Sequence, residues 1–159
     1  MRYPAFVAAA VAALALAAPA AAAEPTREAF TLHRVINPFV VCPGFKVAAT
    51  FDITRETTTF FDRDGTPVMR IVRNEIVGTL TNPLTGSSLT TSGIRIFHYD
   101  LVTGELFTTG SNNVTQLPGG GVSIPGAGRL VFDASGHLVE HDGPTSAEEL
   151  AQVCAALAG

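Results

Sequence analysis

Along the chain from about residue 30, stretches rich in Val, Ile, Thr and Phe alternate with turn signals at short intervals. No helical period appears before residue 145. The turn signals are Asp62 to Pro67, Asn82 to Gly86, Asp100 to Gly104, Leu117 to Gly121 and Asp133 to Gly136. Each supplies glycine for positive φ, and four of the five also offer Asp, Asn or Pro in a place that favours reversal. Between them the pattern predicts strands near Phe30 to Ile36, Val47 to Phe61, Val68 to Leu80, Leu89 to Asp100, Leu106 to Leu117, Val122 to Asp133 and His137 to His141. Several are long enough to suit coiled strands in a closed barrel, and Gly78, Gly93, Gly110, Gly126 and Gly128 fall where a bulge or bend would sit. The expected fold is mainly β: an antiparallel meander closed into a small barrel of seven or eight strands, with no exposed edges.

The last element differs in kind. Thr145 and Glu148 are spaced as a capping box, and Leu150, Val153, Cys154 and Leu157 follow the i, i+3, i+4, i+7 spacing of a helix over 146–158. Its apolar stripe holds one of only two cysteines, Cys154; the other is Cys42. An oxidising compartment would join them across 112 positions, a closure worth about 4 to 5 kcal/mol in the chain-entropy model. No CxxC spacing favours a redox or metal role for the pair.

Strand periodicity also nominates the chemistry. Val47, Ala49, Phe51, Ile53, Arg55, Thr57, Thr59 and Phe61 share one face, which turns Arg55 inward with Phe51. An inward guanidinium must be paired or solvated, so Arg55 is either half of a structural ion pair or a ligand anchor. In the next strand Arg70 and Asn74 share one face and Arg73 and Glu75 the other; periodicity does not say which pair faces in. Arg95, Phe97 and Tyr99 share a face, and Arg95 with Tyr99 suits either anion binding and proton transfer or a snorkelling arginine beside an amphipathic tyrosine. Arg55, Arg95, Tyr99 and Phe51 are thus the candidate ligand-binding residues, and no catalytic residue is flagged.

The N-terminus extends these readings to location. Met1 and Arg2 precede an apolar run from Ala5 to Ala18, then Pro19 and four alanines, the layout of a secretory signal cleaved after Ala23. Cleavage takes 23 of the 159 residues and leaves a 136-residue domain, 24–159, that is secreted and has no further membrane-inserting run. It also removes Arg2, leaving nine Lys and Arg against 14 Asp and Glu, a formal charge of −5. That sign disfavours nucleic acid and anionic lipid as partners.

Other patterns fail on context. Asp62-Arg63-Asp64-Gly65 starts like a calcium loop, but Arg73 stands where the bidentate Glu is needed. His137 and His141 share a strand face without a third ligand, Gly126-Ala127-Gly128 has no helix behind it, and Asn113-Val114-Thr115 matches a glycosylation acceptor by letter alone. No metal or cofactor is called for.

The alanine-rich leader, the Asn37-Pro38 step before Cys42, the long Thr-rich strand, the Asp-Gly hairpin and the glycine-punctuated strands together resemble small exported bacterial proteins of unassigned function. In outline the layout is similar to calycin or allene-oxide-cyclase-like barrels. Two classes of function are expected. One is an exported barrel that binds a small apolar or anionic molecule, and the other an isomerase- or cyclase-type enzyme in which Arg55, Arg95 or Tyr99 stabilises developing charge. A surface or inhibitory module acting through its loops is a third, and the oligomeric state is open.

Overall fold

The computed structural model describes residues 23–124, 127–143 and 146–159, with side chains at all of these but 112, 113 and 146. The expected signal segment, Gly126 and the Thr145 cap lie outside them. The fold is mainly β with one C-terminal helix. The strands are β1 (Thr26–Cys42), β2 (Phe45–Phe61), β3 (Pro67–Thr81), β4 (Ser88–Asp100), β5 (Leu106–Gln116), β6 (Val122–Ser123), β7 (Arg129–Phe132) and β8 (Leu138–Asp142), followed by α1 (Ser146–Ala158). Every pairing is antiparallel, in the order β1-β2-β3-β4-β5-β7-β8, with β6 hydrogen-bonded to β5 alone. Among the described residues no helix is long and apolar enough to cross a membrane.

The expected barrel does not close. Strand length falls from 17 residues in β1 and β2 to 15, 13 and 11 in β3 to β5, and β7 and β8 have only 4 and 5. A five-residue terminal strand cannot match a 17-residue one, so β1 and β8 remain the two edges of an open sheet. The single strand expected from Val122 to Asp133 is in fact two short pieces, β6 and β7, while the first strand begins earlier and runs on to Cys42.

The hairpins follow the sequence closely. Asp62, Asp100 and Asp133 each accept backbone N–H bonds from residues two to four positions on, an Asx-type reversal that ends on Gly65, Gly104 and Gly136 at positive φ. The Asp62 loop is therefore a turn held by its own backbone.

One face of the sheet carries the core at one end. Val47, Ala49 and Phe51 of β2, Leu80 of β3 and Leu89 of β4 are buried against Val153 and Leu157 of α1. A disulfide joins Cys42 to Cys154 with Cα atoms 5.6 Å apart, tying the start of the first hairpin to the middle of the helix. Both helix ends are held as well. The Ser123 hydroxyl donates to the Glu149 carbonyl (2.9 Å), the Ile124 N–H donates to the Glu149 carboxylate (2.8 Å), and buried Asn82 donates its amide to the Leu157 carbonyl (3.0 Å). The last bond satisfies a carbonyl that a helix C-terminus otherwise leaves unpaired. Gly78 makes room in this layer: a Cβ there would lie 2.5 Å from the Phe51 ring, which occupies that space.

Candidate functional site

Beyond the helix the same face changes character, row by row across the strands. The register sets Phe30, Arg55, Asn74 and Arg95 side by side in one row. The next row holds Glu28, Thr57, Val72, Phe97 and Thr108, and the one after it Thr26, Thr59, Arg70, Tyr99 and Leu106. Side chains of these rows form a hollow of about 530 Å³ lined by Glu28, Phe30, Arg55, Thr57, Thr59, Arg70, Val72, Phe97 and Tyr99.

The guanidiniums are positioned differently. Half-buried Arg55 donates through Nε to Asn74 Oδ1 at 2.9 Å, and its guanidinium carbon lies 5.9 Å from the centre of the Phe30 ring. Arg95, only 4% exposed, is not in the lining; it donates through Nη2 to Thr108 Oγ1 at 2.7 Å and lies 5.9 Å from the Phe97 ring. Burial pushes its pKa below the ordinary arginine value, because a low-dielectric site disfavours the charged form. Exposed Arg70 stands directly opposite Tyr99, whose ring stacks along Phe97 with centroids 6.3 Å apart.

The opposite face handles charge in another way. There His33 meets Asp52 at 2.9 Å, and Arg73 sits between Glu56 (3.6 Å) and Glu75 (3.2 Å). Among the described residues no such ion pair includes Arg55 or Arg70. The charges of Arg55 and Arg70 are thus not neutralised by a carboxylate among the described ion pairs.

Of the four ligand-binding candidates, Arg55 and Tyr99 line the hollow, and Arg95 is buried in the same row as Arg55 without lining it. Phe51 does not line it either. It is 5% exposed in the covered core, edge-on to Phe39 with centroids 5.2 Å apart. The structure adds Arg70, Phe30, Phe97 and Glu28, and turns Arg73 and Glu75 outward. Its signal was the face shared by Arg70 and Asn74, which becomes decisive once the strand register is known. His137 lies in the turn before β8 and contacts Asp133, so it does not share a strand face with His141. Among the described residues no group of three or more His, Cys, Asp and Glu is placed to hold a metal ion.

A second hollow, of about 490 Å³, lies between α1 and the first hairpin, with Val40, Val41, Phe45, Leu150 and Ala151 in its lining. Its lining side chains are all apolar, so it offers no directional contact to orient a ligand.

Comparison of the chain with protein-family models, with curated proteins and with solved structures finds no match.

Proposed function

We propose that this is an exported protein that binds a small organic anion in the arginine-lined hollow. The supporting observation is the composition of that hollow: the guanidiniums of Arg55 and Arg70, neither in an ion pair among the described residues, and the flat faces of Phe30, Phe97 and Tyr99. A carboxylate or phosphate would accept charge-assisted hydrogen bonds from Arg55 and Arg70, and an apolar body would lie on the aromatic rings. The volume falls within the range of about 300–1,000 Å³ of small-molecule sites. The disulfide and the leader agree with an oxidising destination.

The test is native mass spectrometry of protein purified from the medium into which it is exported, followed by calorimetry with the released compound or with a panel of aromatic and aliphatic carboxylates. Arg55→Met should weaken binding by about 10- to 100-fold, the loss of one charge-assisted contact of about 1.5 to 3 kcal/mol. Failure of every anionic compound to bind, with neutral ones bound equally by the wild type and the variant, would overturn the reading.

One observation favours a second reading, as an isomerase or cyclase. Tyr99 stands beside Arg70, so a phenol O–H and a guanidinium could together stabilise negative charge developing on a substrate. The nearest carboxylate of the lining, Glu28, is three strand spacings from Tyr99, about 14 Å along the sheet, too far to share one proton directly. Turnover of a bound compound, lost in Tyr99→Phe with binding retained, would establish that reading over simple binding.

A further inference from the structure

An open sheet has two edges, and this one protects them unequally. Strand β8 is short, and its five residues include Glu140, His141 and Asp142. Antiparallel pairing of β8 with a second β8 about its centre would set Glu140 against Glu140, a like-charge contact that discourages it. Strand β1 has no such guard. Among the described residues it pairs with β2 on one side only, and the backbone N–H and C=O groups on its other side meet no described strand. Phe30, Val35 and Ile36 are 48%, 68% and 40% exposed there.

The regular part of β1 runs from Thr26 to Ile36, where a register shift interrupts the ladder, and its midpoint is Thr31. From these features we infer that two copies of the protein associate through β1, antiparallel, about a twofold axis at Thr31. In an antiparallel pair that keeps the two hollow-bearing faces continuous, partner residues must have the same parity, so only a few registers are open. Centring on Thr31 uses the whole regular run. It sets Glu28 opposite Arg34, Phe30 opposite Leu32, Arg27 opposite Val35 and Thr31 opposite itself. The Glu28–Arg34 contact occurs twice by symmetry. Neither residue belongs to any of the ion pairs found among the described residues, so both charges are available. Moving the centre by one residue either way puts Glu28 against Leu32 or Ile36 and gives up both contacts. The surface is thus complementary to itself in hydrogen bonding, charge and apolar contact, as an isologous interface must be. Because Glu28 and Phe30 also line the hollow, the twofold would place the two hollows side by side on one continuous sheet.

The experiment is sedimentation equilibrium of the mature protein with a charge swap. The wild type should dimerise. Glu28→Arg and Arg34→Glu should each weaken the dimer by roughly tenfold, through loss of two cross-strand ion pairs and gain of like-charge contacts, and the double swap should restore it. Thr31→Cys should form a covalent dimer on air oxidation with the Cys42–Cys154 bond intact, since paired Cα atoms across an antiparallel ladder are about 4.5 to 5.5 Å apart, within disulfide range. Thr54→Cys, exposed on β2 one strand in from the edge, should not. A wild type that stays monomeric at all concentrations would overturn the inference, as a different chain or peptide on β1 would also require. So would a dimer indifferent to the single swaps, or equal cross-linking at positions 31 and 54.

Discussion

The two ends of the face that carries the helix and the hollow are cut from the same strands and the same alternate positions, yet they hold opposite kinds of residue. Toward the chain end of β2 near Cys42 the inward set is Val47, Ala49, Phe51, Leu80 and Leu89; toward the other end it is Arg55, Arg70, Asn74, Arg95, Phe97 and Tyr99. The difference is the cover. A single 13-residue helix can shield only one end of strands 13 to 17 residues long. Where water is excluded, apolar side chains contribute about 25 cal/mol for each Å² buried. Where it is not, apolar residues would gain less, and the guanidiniums of Arg55 and Arg70 keep contact with water, while buried Arg95 is held by its hydrogen bond to Thr108. Stability is therefore concentrated at the covered end, which leaves the open end free to carry charge for recognition.

The largest test of that division removes the tie between helix and sheet. Cys154→Ser should lower stability by about 2 to 5 kcal/mol in denaturant titration, because the bond closes a long loop. Hydrogen exchange should show α1 and the first hairpin loosening before β3 to β5. An unchanged denaturation midpoint would mean that the helix contributes little and that the two ends are not energetically distinct. Leu157→Ala comes next. Its side chain is fully buried, so truncation should cost about 2 to 5 kcal/mol. The matched change at the open end, Arg70→Met, should move stability by no more than about 0.5 kcal/mol. Equal losses from the two substitutions would erase the comparison.

How far this partition could be read from residues alone depends on what each feature needs. The turns were legible because Asp or Asn followed by Gly has a local cause, and Val47 to Thr59 were legible because strand parity is local. The terminal helix and its disulfide rested on a short periodic stripe and two cysteines. Closure was not legible, since it turns on whether the last strand can match the first, a property of the whole sheet. The inward face of β3 is the sharpest case. At the hairpin Phe61 pairs with Pro67, and that register carried along the strands would set Arg73 opposite Arg55 and turn Arg70 outward. A bulge between Phe60 and Phe61 shifts the pairing by one, so Asn74 stands opposite Arg55 and Arg70 faces the hollow. One unpaired residue thus decides which arginine is available to a ligand, because the side-chain period of a strand is two.

A smaller change probes the junction of helix and hairpin. Asn82 is 2% exposed; its side-chain oxygen accepts the Leu84 N–H at 3.0 Å while its amide donates to the Leu157 carbonyl. Asn82→Asp keeps the acceptor in the turn but loses the donor, leaving a carbonyl unpaired and facing a carboxylate. It should cost about 1 to 3 kcal/mol, with the thermal midpoint falling while the β3–β4 turn keeps its shape by NMR. Asn82→Ala should lose the turn contact as well, so it should perturb the Leu84 amide where Asn82→Asp does not.

The smallest effect should come from the open end, and it is set by pH. His98 lies on the face of β4 opposite the hollow, stacked on Phe107 with ring centroids 4.2 Å apart and an interplanar angle of 6°. Arg129 lies over the same Phe107 ring, 5.4 Å from its centre. Burial lowers the His98 pKa from its ordinary value of 6.5, because the protonated ring loses hydration in that position. The sign follows from linkage: the unfolded chain binds this proton more readily than the folded one, so stability rises with pH across this window. The contribution is whole above pH 6.5 and is lost progressively as pH falls below it toward the depressed folded value. His98→Phe keeps a flat ring against Phe107 and removes the titration. Its stability should therefore vary less than that of the wild type as pH drops from 7 into the region below 6.5, with the added wild-type exchange confined to β4, β5 and β7. If wild type and variant lose stability in parallel over that range, or if the exchange appears first in α1, the acid sensitivity belongs to the covered end and the division drawn between the two ends fails at this point.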